Sequence, residues 1–435
     1  MKETALCAYR ASLLYFSDDP AFSEQACHWH EDGLLVVADG HIVAAGDYAS
    51  VAPTLPAGTP VTDYRGKLIM PGFIDTHIHY PQTDLIASPA EGLLPWLENH
   101  TFPLEREFAD SRRAQETARF FLDELLRCGT TTAMVYCTVH PESVEAFFEE
   151  SHARNLRMVA GKVMMDCNCP EFLRDTAESG AHDSEQLIRR WHGKGRQLYA
   201  ITPRFAATSS PAQLQLAGEL AQAHPEVFVQ THVAENTDEV AWIRKLYPHS
   251  RSYLDVYDSF GLLRERALFA HGIWLDDADW SRIAQTRSAV AHCPTSNLFL
   301  GSGLFDMRRA DAVRARVALG TDVGGGTSFS LLQTMNEAHK VARMKGSHLP
   351  GLRLFYLATL GGARSLHLEG TIGSLAPGHE ADFVVLDPQC TPLMARRTAQ
   401  ADGLEELLFV LALLGDDRAV QATYSAGRCV WQRPA

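Results

Sequence analysis

The chain has 435 residues, 46% of them hydrophobic, and a formal net charge of −14, which is the composition of a folded protein with one large and one accessory domain. It contains no dense lysine or arginine run that would bind a nucleic-acid polymer and no stretch near the roughly 20 apolar residues of a membrane span. Its nine cysteines predict reduced thiols, and Met1–Arg10 lacks the apolar core of a secretory signal, so we expect a cytoplasmic enzyme.

The N-terminal part of the chain, residues 1–67, alternates polar and apolar residues between glycines and prolines, which predicts short strands. The same pattern returns in residues 371–435. We predict that both ends of the chain build one small β-sandwich domain. His28 and His30 have the spacing of a metal-binding pair, but they lie in this domain and are interpreted as surface or packing residues.

The central part, residues 68–370, alternates short apolar runs with longer amphipathic stretches, which is typical of repeated βα units. The runs are almost continuously apolar, as strands buried on both faces must be. They favour an α/β fold with a closed (β/α)8 TIM-like barrel over an open sheet. The eight predicted strands are Leu68–Asp75, Thr130–Cys137, Arg157–Met165, Leu198–Phe205, Val227–Val233, Ala267–Ile273, Ser288–Cys293 and Arg316–Asp322.

Five residues that can bind a metal fall at the ends of predicted barrel strands. His77 and His79 follow the first strand, and residues two apart in an extended segment point to the same side. His232 follows the fifth strand, His271 lies on the sixth, and Asp322 ends the eighth. This fold gathers its catalytic groups at those ends. Imidazoles and a carboxylate suit zinc, with a position left for water.

Two other metal-like patterns are incomplete. Cys167 and Cys169 lack a second pair at zinc-ribbon spacing, so free thiols are predicted. His140 and Glu142 supply the H-x-E half of the smaller zinc deaminases, but no P-C-x-x-C motif follows them.

With these ligands and the run Gly373–Asp387, the sequence resembles the amidohydrolase superfamily over nearly its whole length. His232 followed by Glu235 looks like the arrangement of the deaminases that bind one metal. Members with two metals commonly carry a carboxylated lysine at the end of the fourth strand, where this chain has Arg204. The resemblance therefore implies one Zn²⁺ per chain. Lys162, on the third strand, keeps the two-metal alternative open.

Three segments narrow the resemblance to members that act on guanine: Tyr80–Gln82, Pro95–Glu98 and Arg204–Phe205. Guanine is thus the expected small-molecule substrate, and we expect a homodimer. The residues expected to bind the substrate are Gln82, Trp96, Leu97, Arg204 and Phe205.

Each polar residue of that set has a physical use. The Arg204 guanidinium offers two donors, which match the O6 and N7 acceptors of guanine. Gln82 carries a donor and an acceptor, which match a ring edge where a carbonyl and an N–H lie side by side. Phe205 is expected to pack on the ring face.

The resemblance implies hydrolytic deamination at C2 of guanine. Zinc lowers the pKa of a bound water to about 7, which supplies the nucleophile. Asp322 is expected to take the proton of that water, and His271 to orient it or to bind the metal. Glu235 is expected to protonate N3 of the ring and to pass a proton to the departing amino group.

Two other functions remain open. One is an amidohydrolase that acts on another heterocycle, such as a triazine, methylthioadenosine or cytosine; Gln82 together with Arg204 and Phe205 argues against it. The other is a non-catalytic assembly protein that has lost its metal, as some relatives of dihydropyrimidinase have. Such proteins usually lack several ligands, whereas all five positions are filled in this chain.

Overall fold

The computed structural model describes residues 6–434. The segment Met1–Arg10, in which no secretory signal was found, lies partly outside the described residues. Among residues 6–434, every helix is too short or too polar to cross a bilayer.

The strands of the described chain form two sheets. Their bounds are β1 Cys7–Phe16, β2 Cys27–Ala38, β3 His41–Asp47, β4 Val61–Pro71, β5 Phe73–His79, β6 Thr130–Tyr136, β7 Arg157–Gly161, β8 Val163–Met164, β9 Gln197–Pro203, β10 Phe228–Val233, β11 Ala267–His271, β12 Ala289–His292, β13 Arg316–Leu319, β14 Phe383–Leu386, β15 Val420–Ser425 and β16 Arg428–Gln432.

The helices lie mostly between the strands of the second sheet and cover its outer face. Their bounds are α1 Tyr48–Val51, α2 Leu93–Trp96, α3 Phe102–Glu105, α4 Ser111–Arg127, α5 Pro141–Ala153, α6 Ala177–Trp191, α7 Pro211–Ala223, α8 Thr237–Leu246, α9 Tyr253–Ser259, α10 Asp277–Thr286, α11 Pro294–Phe299, α12 Met307–Ala312, α13 Leu331–Met344, α14 Gly351–Leu357, α15 Leu360–Ser365, α16 Pro392–Thr398 and α17 Leu404–Leu414.

The second sheet is the predicted barrel. Its strands are parallel and neighbour one another in the order β13, β12, β11, β10, β9, β7, β6, β5, with the short β8 beside β9. The two ends of this order meet where the Asp322 N–H donates to the His77 carbonyl at 2.8 Å and the His79 N–H donates to the Val323 carbonyl at 2.9 Å. The (β/α)8 prediction is confirmed, and its closure brings candidate metal ligands together.

The first sheet contains strands from both ends of the chain, in the order β16, β15, β14, β4, β1, β2, β3. Strand β4 pairs with β1 in parallel and with β14 in antiparallel register. The predicted small β domain from both termini is therefore confirmed, and its strands are hydrogen-bonded as one continuous sheet. The C-terminal region also contains α16 and α17, which the sequence patterns did not reveal.

Two predicted strands are wrong in their bounds. The run Arg157–Met165 forms β7 and the separate short strand β8. The run Leu68–Asp75 reads as a single strand, but β4 ends at Pro71 and β5 begins at Phe73, so the run passes from one sheet to the other. Gly72 marks the break, because a Cβ atom at this position would overlap the side chain of Thr131. Both halves of the run are buried, so its apolar pattern does not indicate where the chain passes from one sheet to the other.

Candidate active site

Three histidine side chains converge at the mouth of the barrel. His77 and His79 stand at the end of β5, and His232 stands near the end of β10. The Nε2 atom of His79 lies 3.3 Å from Nε2 of His77 and 3.3 Å from Nε2 of His232. The site thus presents three ring nitrogens to one point.

This spacing and the state of the rings fit a metal such as zinc. A tetrahedral zinc ion with Zn–N distances of about 2.0–2.1 Å holds its ligand atoms about 3.3–3.4 Å apart. Burial lowers the pKa of His79 to about 4 and the pKa of His232 well below 6.5, so both rings stay neutral, as metal ligands must. His232 Nδ1 donates to the Arg204 carbonyl at 2.6 Å, which leaves the lone pair on Nε2.

Asp322 adds a carboxylate to the cluster. Its Oδ1 lies 3.1 Å from Nε2 of His77 and 3.4 Å from Nε2 of His79. Burial alone would raise the pKa of Asp322, but the facing His77 and His79 rings hold it well below its usual range. An ionised carboxylate is the form that binds a metal or accepts a proton.

His271 lies beside this carboxylate and is fixed by a residue that sequence reasoning missed. Its Nδ1 donates to Oδ1 of Asn297 at 2.8 Å, so Nε2 faces Oδ2 of Asp322 at 3.7 Å. His271 and Asp322 both have left-handed backbone, with φ of 72° and 54°. Such values are uncommon for residues with side chains and are typical of functional positions.

Glu235 completes the polar cluster. It is 3% exposed, and its Oε2 lies 3.4 Å from Nε2 of His271. The Ser302 hydroxyl donates to its other oxygen at 3.0 Å. Burial and the neighbouring Asp322 carboxylate raise the pKa of Glu235 to about 8. A carboxyl group that carries a proton at neutral pH can act as an acid.

The cluster forms one side of a cavity at the mouth of the barrel. His77 lies beneath the cavity, fully buried. The other sequence-predicted site residues all line it: His79, Gln82, Trp96, Leu97, Arg204, Phe205, His232, Glu235, His271 and Asp322.

Two polar side chains that line the cavity share one carboxylate. Gln82 donates from Nε2 to Oε1 of Glu105 at 3.0 Å, and its own Oε1 accepts from the Gly324 N–H at 3.2 Å. Arg204 donates from Nη1 to Oε2 of Glu105 at 2.6 Å. Phe205 is buried next to Arg204 and meets the ring of Trp242 edge-on at 6.1 Å.

The remaining candidates lie away from this cluster. Lys162 is fully buried, and its ammonium group donates to Asp175 at 2.5 Å, so it is paired with a carboxylate on another segment. His30 pairs with Asp47 at 2.9 Å, and His28 stacks on Tyr15, which agrees with their interpretation as surface and packing residues. All nine cysteines are free, as predicted.

The residues that the sequence did not reveal are Glu105, Asn297 and Ser302. Each is buried and polar, and each contacts a predicted site residue. Asn297 and Ser302 follow the seventh barrel strand, where a polar residue was a usable signal. Glu105 follows an irregular segment and is not next to the end of a strand, so the sequence contains no such signal for it.

Comparisons with known proteins agree with this geometry. The amidohydrolase family matches residues 68–430 of the chain. The guanine deaminase of Escherichia coli strain K12 is 49% identical over 434 residues, which covers 99% of each chain. A solved structure of E. coli guanine deaminase, also 49% identical, matches 98% of this chain and 100% of that one with a TM-score of 0.96.

More distant relatives give the same result. The human guanine deaminase is 32% identical over 378 residues, which covers 84% of this chain and 83% of the human one. A structure of the C. acetobutylicum enzyme, described as a guanine deaminase with guanine bound in its active site, is 29% identical. It matches 98% of this chain and 100% of that chain with a TM-score of 0.88.

The chain therefore belongs to the amidohydrolase family of metal-dependent hydrolases, and the predicted resemblance is confirmed. Its full-length similarity further places it among the guanine deaminases of that family, which act on C–N bonds.

Proposed function

We propose that the chain hydrolyses guanine to xanthine and ammonia with one zinc ion per chain. The observation that carries the proposal is a cavity whose lining combines two of the three converging histidines with a buried arginine and a buried glutamine. The histidines suit a metal, and the arginine and the glutamine suit the edge of a purine.

The ligands proposed for the metal are His77, His79, His232 and Asp322, with His271 beside them. Nitrogen separations of 3.3 Å and the neutral state of the buried rings support this set. When bound, a zinc ion would lower the pKa of a water molecule to about 7.

Substrate binding is proposed for the cavity residues outside the metal cluster. Arg204 and Gln82 would hold the purine edge through hydrogen bonds, since both have donors left after their contacts with Glu105. Phe205, Trp96 and Leu97 would exclude water from the ring, because all three are buried and line the cavity.

Proton transfer is proposed for Asp322 and Glu235. Asp322 would accept a proton from the attacking water, as its ionised state allows. Glu235 would deliver a proton to N3 of the ring and assist the departing amino group, and the Ser302 hydroxyl would hold it in place. His271, fixed by Asn297, would orient the water.

The test is a steady-state assay of guanine conversion to xanthine, combined with elemental analysis of the purified chain. We expect ammonia release from guanine and one zinc equivalent. A chelator should abolish turnover, and added zinc should restore it. Two metal equivalents in fully active protein would overturn the one-metal assignment.

The same assay with adenine, cytosine and a triazine tests the substrate. A higher kcat/KM on one of these than on guanine would reassign the chain to another amidohydrolase activity. A metal-free chain without turnover on any of them would support an assembly role instead.

A further inference from the structure

The segment between β5 and α4, residues 80–110, lies across the mouth of the barrel and we call it the mouth segment. It carries the proposed substrate-binding residues Gln82, Trp96 and Leu97. It also carries Glu105, the last residue of α3, whose side chain is 1% exposed. A carboxylate this buried must be paired, since desolvation of an unpaired charge is costly.

Glu105 uses its two oxygens on two different parts of the site. Oε1 accepts from Gln82 of the mouth segment at 3.0 Å, and Oε2 accepts from Arg204, which follows strand β9, at 2.6 Å. The two residues proposed to read the purine edge are therefore joined by one carboxylate. We propose that Glu105 is a positioning residue for substrate recognition, which sets the orientation of both Gln82 and Arg204; this rests on the proposed function.

The orientation of the Gln82 amide follows from its two neighbours. Its oxygen accepts from the Gly324 N–H at 3.2 Å, and its nitrogen donates to Glu105. A flipped amide would set its N–H against the N–H of Gly324 and its oxygen against the carboxylate of Glu105. Both contacts would be repulsive, so the donor and the acceptor of Gln82 are each confined to one side of the cavity.

Arg204 is fixed in a similar way. One of its terminal nitrogens is held by Glu105, and its guanidinium carbon lies 5.2 Å from the centre of the Phe102 ring. Its own carbonyl accepts from Nδ1 of His232, so its backbone also supports a proposed metal ligand. The guanidinium is thus held as a rigid donor group, which lowers the entropy lost when a substrate binds.

The proposal is tested with Glu105→Gln, which keeps the shape and removes the charge. We expect KM for guanine to rise roughly 10- to 100-fold, because one or two hydrogen bonds are misplaced. We expect kcat per bound metal to change less than about tenfold, since the metal and proton-transfer groups are untouched. A purely structural role would instead lower kcat through the folded fraction and leave KM unchanged.

The matched control is Glu91→Gln, an exposed carboxyl on the same mouth segment, which should leave both constants unchanged. Arg204→Lys provides a second background, because it keeps the ion pair with Glu105 and removes the planar pair of donors. Because Glu105 acts partly through the Arg204 guanidinium, the rise in KM caused by Glu105→Gln should be clearly smaller in the Arg204→Lys chain. An undiminished rise in that background would overturn the proposal.

If Glu105→Gln fails to fold, Glu105→Asp decides the question. The shorter carboxylate keeps the charge but cannot reach both partners, so KM should rise while folding and metal content are retained. An unchanged KM in Glu105→Asp would overturn the positioning role. Assays of the unmodified chain distinguish a failure of this proposal from a failure of the proposed function. If the unmodified chain does not convert guanine but converts another heterocycle, the substrate assignment is wrong. The Glu105 variants are then compared on that heterocycle.

Discussion

Glu235 has the surroundings of a proton donor rather than of a metal ligand. It is buried, faces His271 at 3.4 Å, accepts a hydrogen bond from Ser302 and has a pKa raised to about 8 by burial and by Asp322. A carboxyl group that carries a proton at the start of each turnover, and regains it by the end, can protonate a ring nitrogen of the substrate.

Glu235→Gln should therefore keep the fold and the metal but lower kcat by roughly two to four orders of magnitude, the usual contribution of a positioned acid or base. Substrate binding should largely survive, because a glutamine has the same shape and can still donate a hydrogen bond. Turnover, metal content and KM are the measurements, with Glu219→Gln on the exposed face of α7 as the control. Loss of the metal would make Glu235 a ligand or a support for one.

Arg204 is best tested by a substitution that respects its ion pair. Replacement by alanine would leave Glu105 buried and unpaired, which destabilises a protein by about 3–5 kcal/mol. Arg204→Lys keeps the charge but loses the planar pair of donors. We expect kcat/KM for guanine to fall roughly 10- to 100-fold with little change in melting temperature.

The control for this change is Arg112→Lys on the exposed surface of α4, where the arginine side chain is 84% exposed. It should alter neither quantity. An unchanged kcat/KM in Arg204→Lys would show that the site requires a positive charge and does not require the planar pair of donors.

At the scale of elements, a glycine sets how closely helix α7 approaches the residue that follows α9. Gly218 lies in the middle of α7, and a Cβ atom there would overlap the carbonyl oxygen of Phe260, just after α9. A glycine inside a helix costs stability by itself, so the close approach of the two segments explains its presence.

Gly218→Ala should therefore destabilise the chain by about 1–3 kcal/mol, although alanine is the better helix former, because the two elements must separate. Thermal unfolding is the measurement, and KM for guanine should stay unchanged. Gly370→Ala is the matched control, since a Cβ atom at that exposed position meets open space. A more stable Gly218→Ala chain would show that the segments adjust without cost.

At the scale of the whole molecule, the two sheets are joined by a buried ionic cluster. Arg196 is 7% exposed and precedes barrel strand β9. It donates to Glu380 at 2.5 Å and to Asp382, both of which precede β14 of the terminal sheet. Arg157 of β7 donates to Glu380 as well, at 2.7 Å. The cluster fixes the barrel to the small domain at the end opposite the active site.

Arg196→Met should destabilise the chain by about 3–5 kcal/mol, because the buried Asp382 carboxylate loses its arginine and Glu380 is left with Arg157 alone as an arginine partner. Burial alone would raise the pKa of Glu380, but the hydrogen bond from Arg157 and the charge of Arg196 hold it below its usual 4.5. A lowered folded pKa gives stability above pH 4.5 that is lost as the pH falls through the folded value.

The difference in melting temperature between the unmodified chain and Arg196→Met should thus be widest above pH 4.5 and should shrink below it. Melting curves across this range are the measurement. Arg189→Met, on the exposed surface of α6, should show little difference at any pH. A difference that grows toward acid would show that the carboxylates are not the source of the effect.

The homodimer stays a prediction, which sedimentation of the purified chain can test.

The sequence by itself determined the barrel, the division of the small domain between the chain ends and the five candidate metal ligands at the ends of barrel strands. These features follow from local signals: apolar runs of strand length, the spacing of His77 and His79, and polar residues at strand ends. Resemblance to a family added the remaining predicted site residues, which are Gln82, Trp96, Leu97, Arg204, Phe205 and Glu235.

Only the tertiary structure decided how these residues are oriented. Glu105 and Arg204 are 99 residues apart in the chain, and the break at Gly72 depends on Thr131 of another strand. Asn297 and Ser302 likewise act on side chains of other βα units. Periodicity reports only which face of an element is buried. Which buried polar groups satisfy one another depends on contacts between distant segments, and these exist only once the barrel has closed.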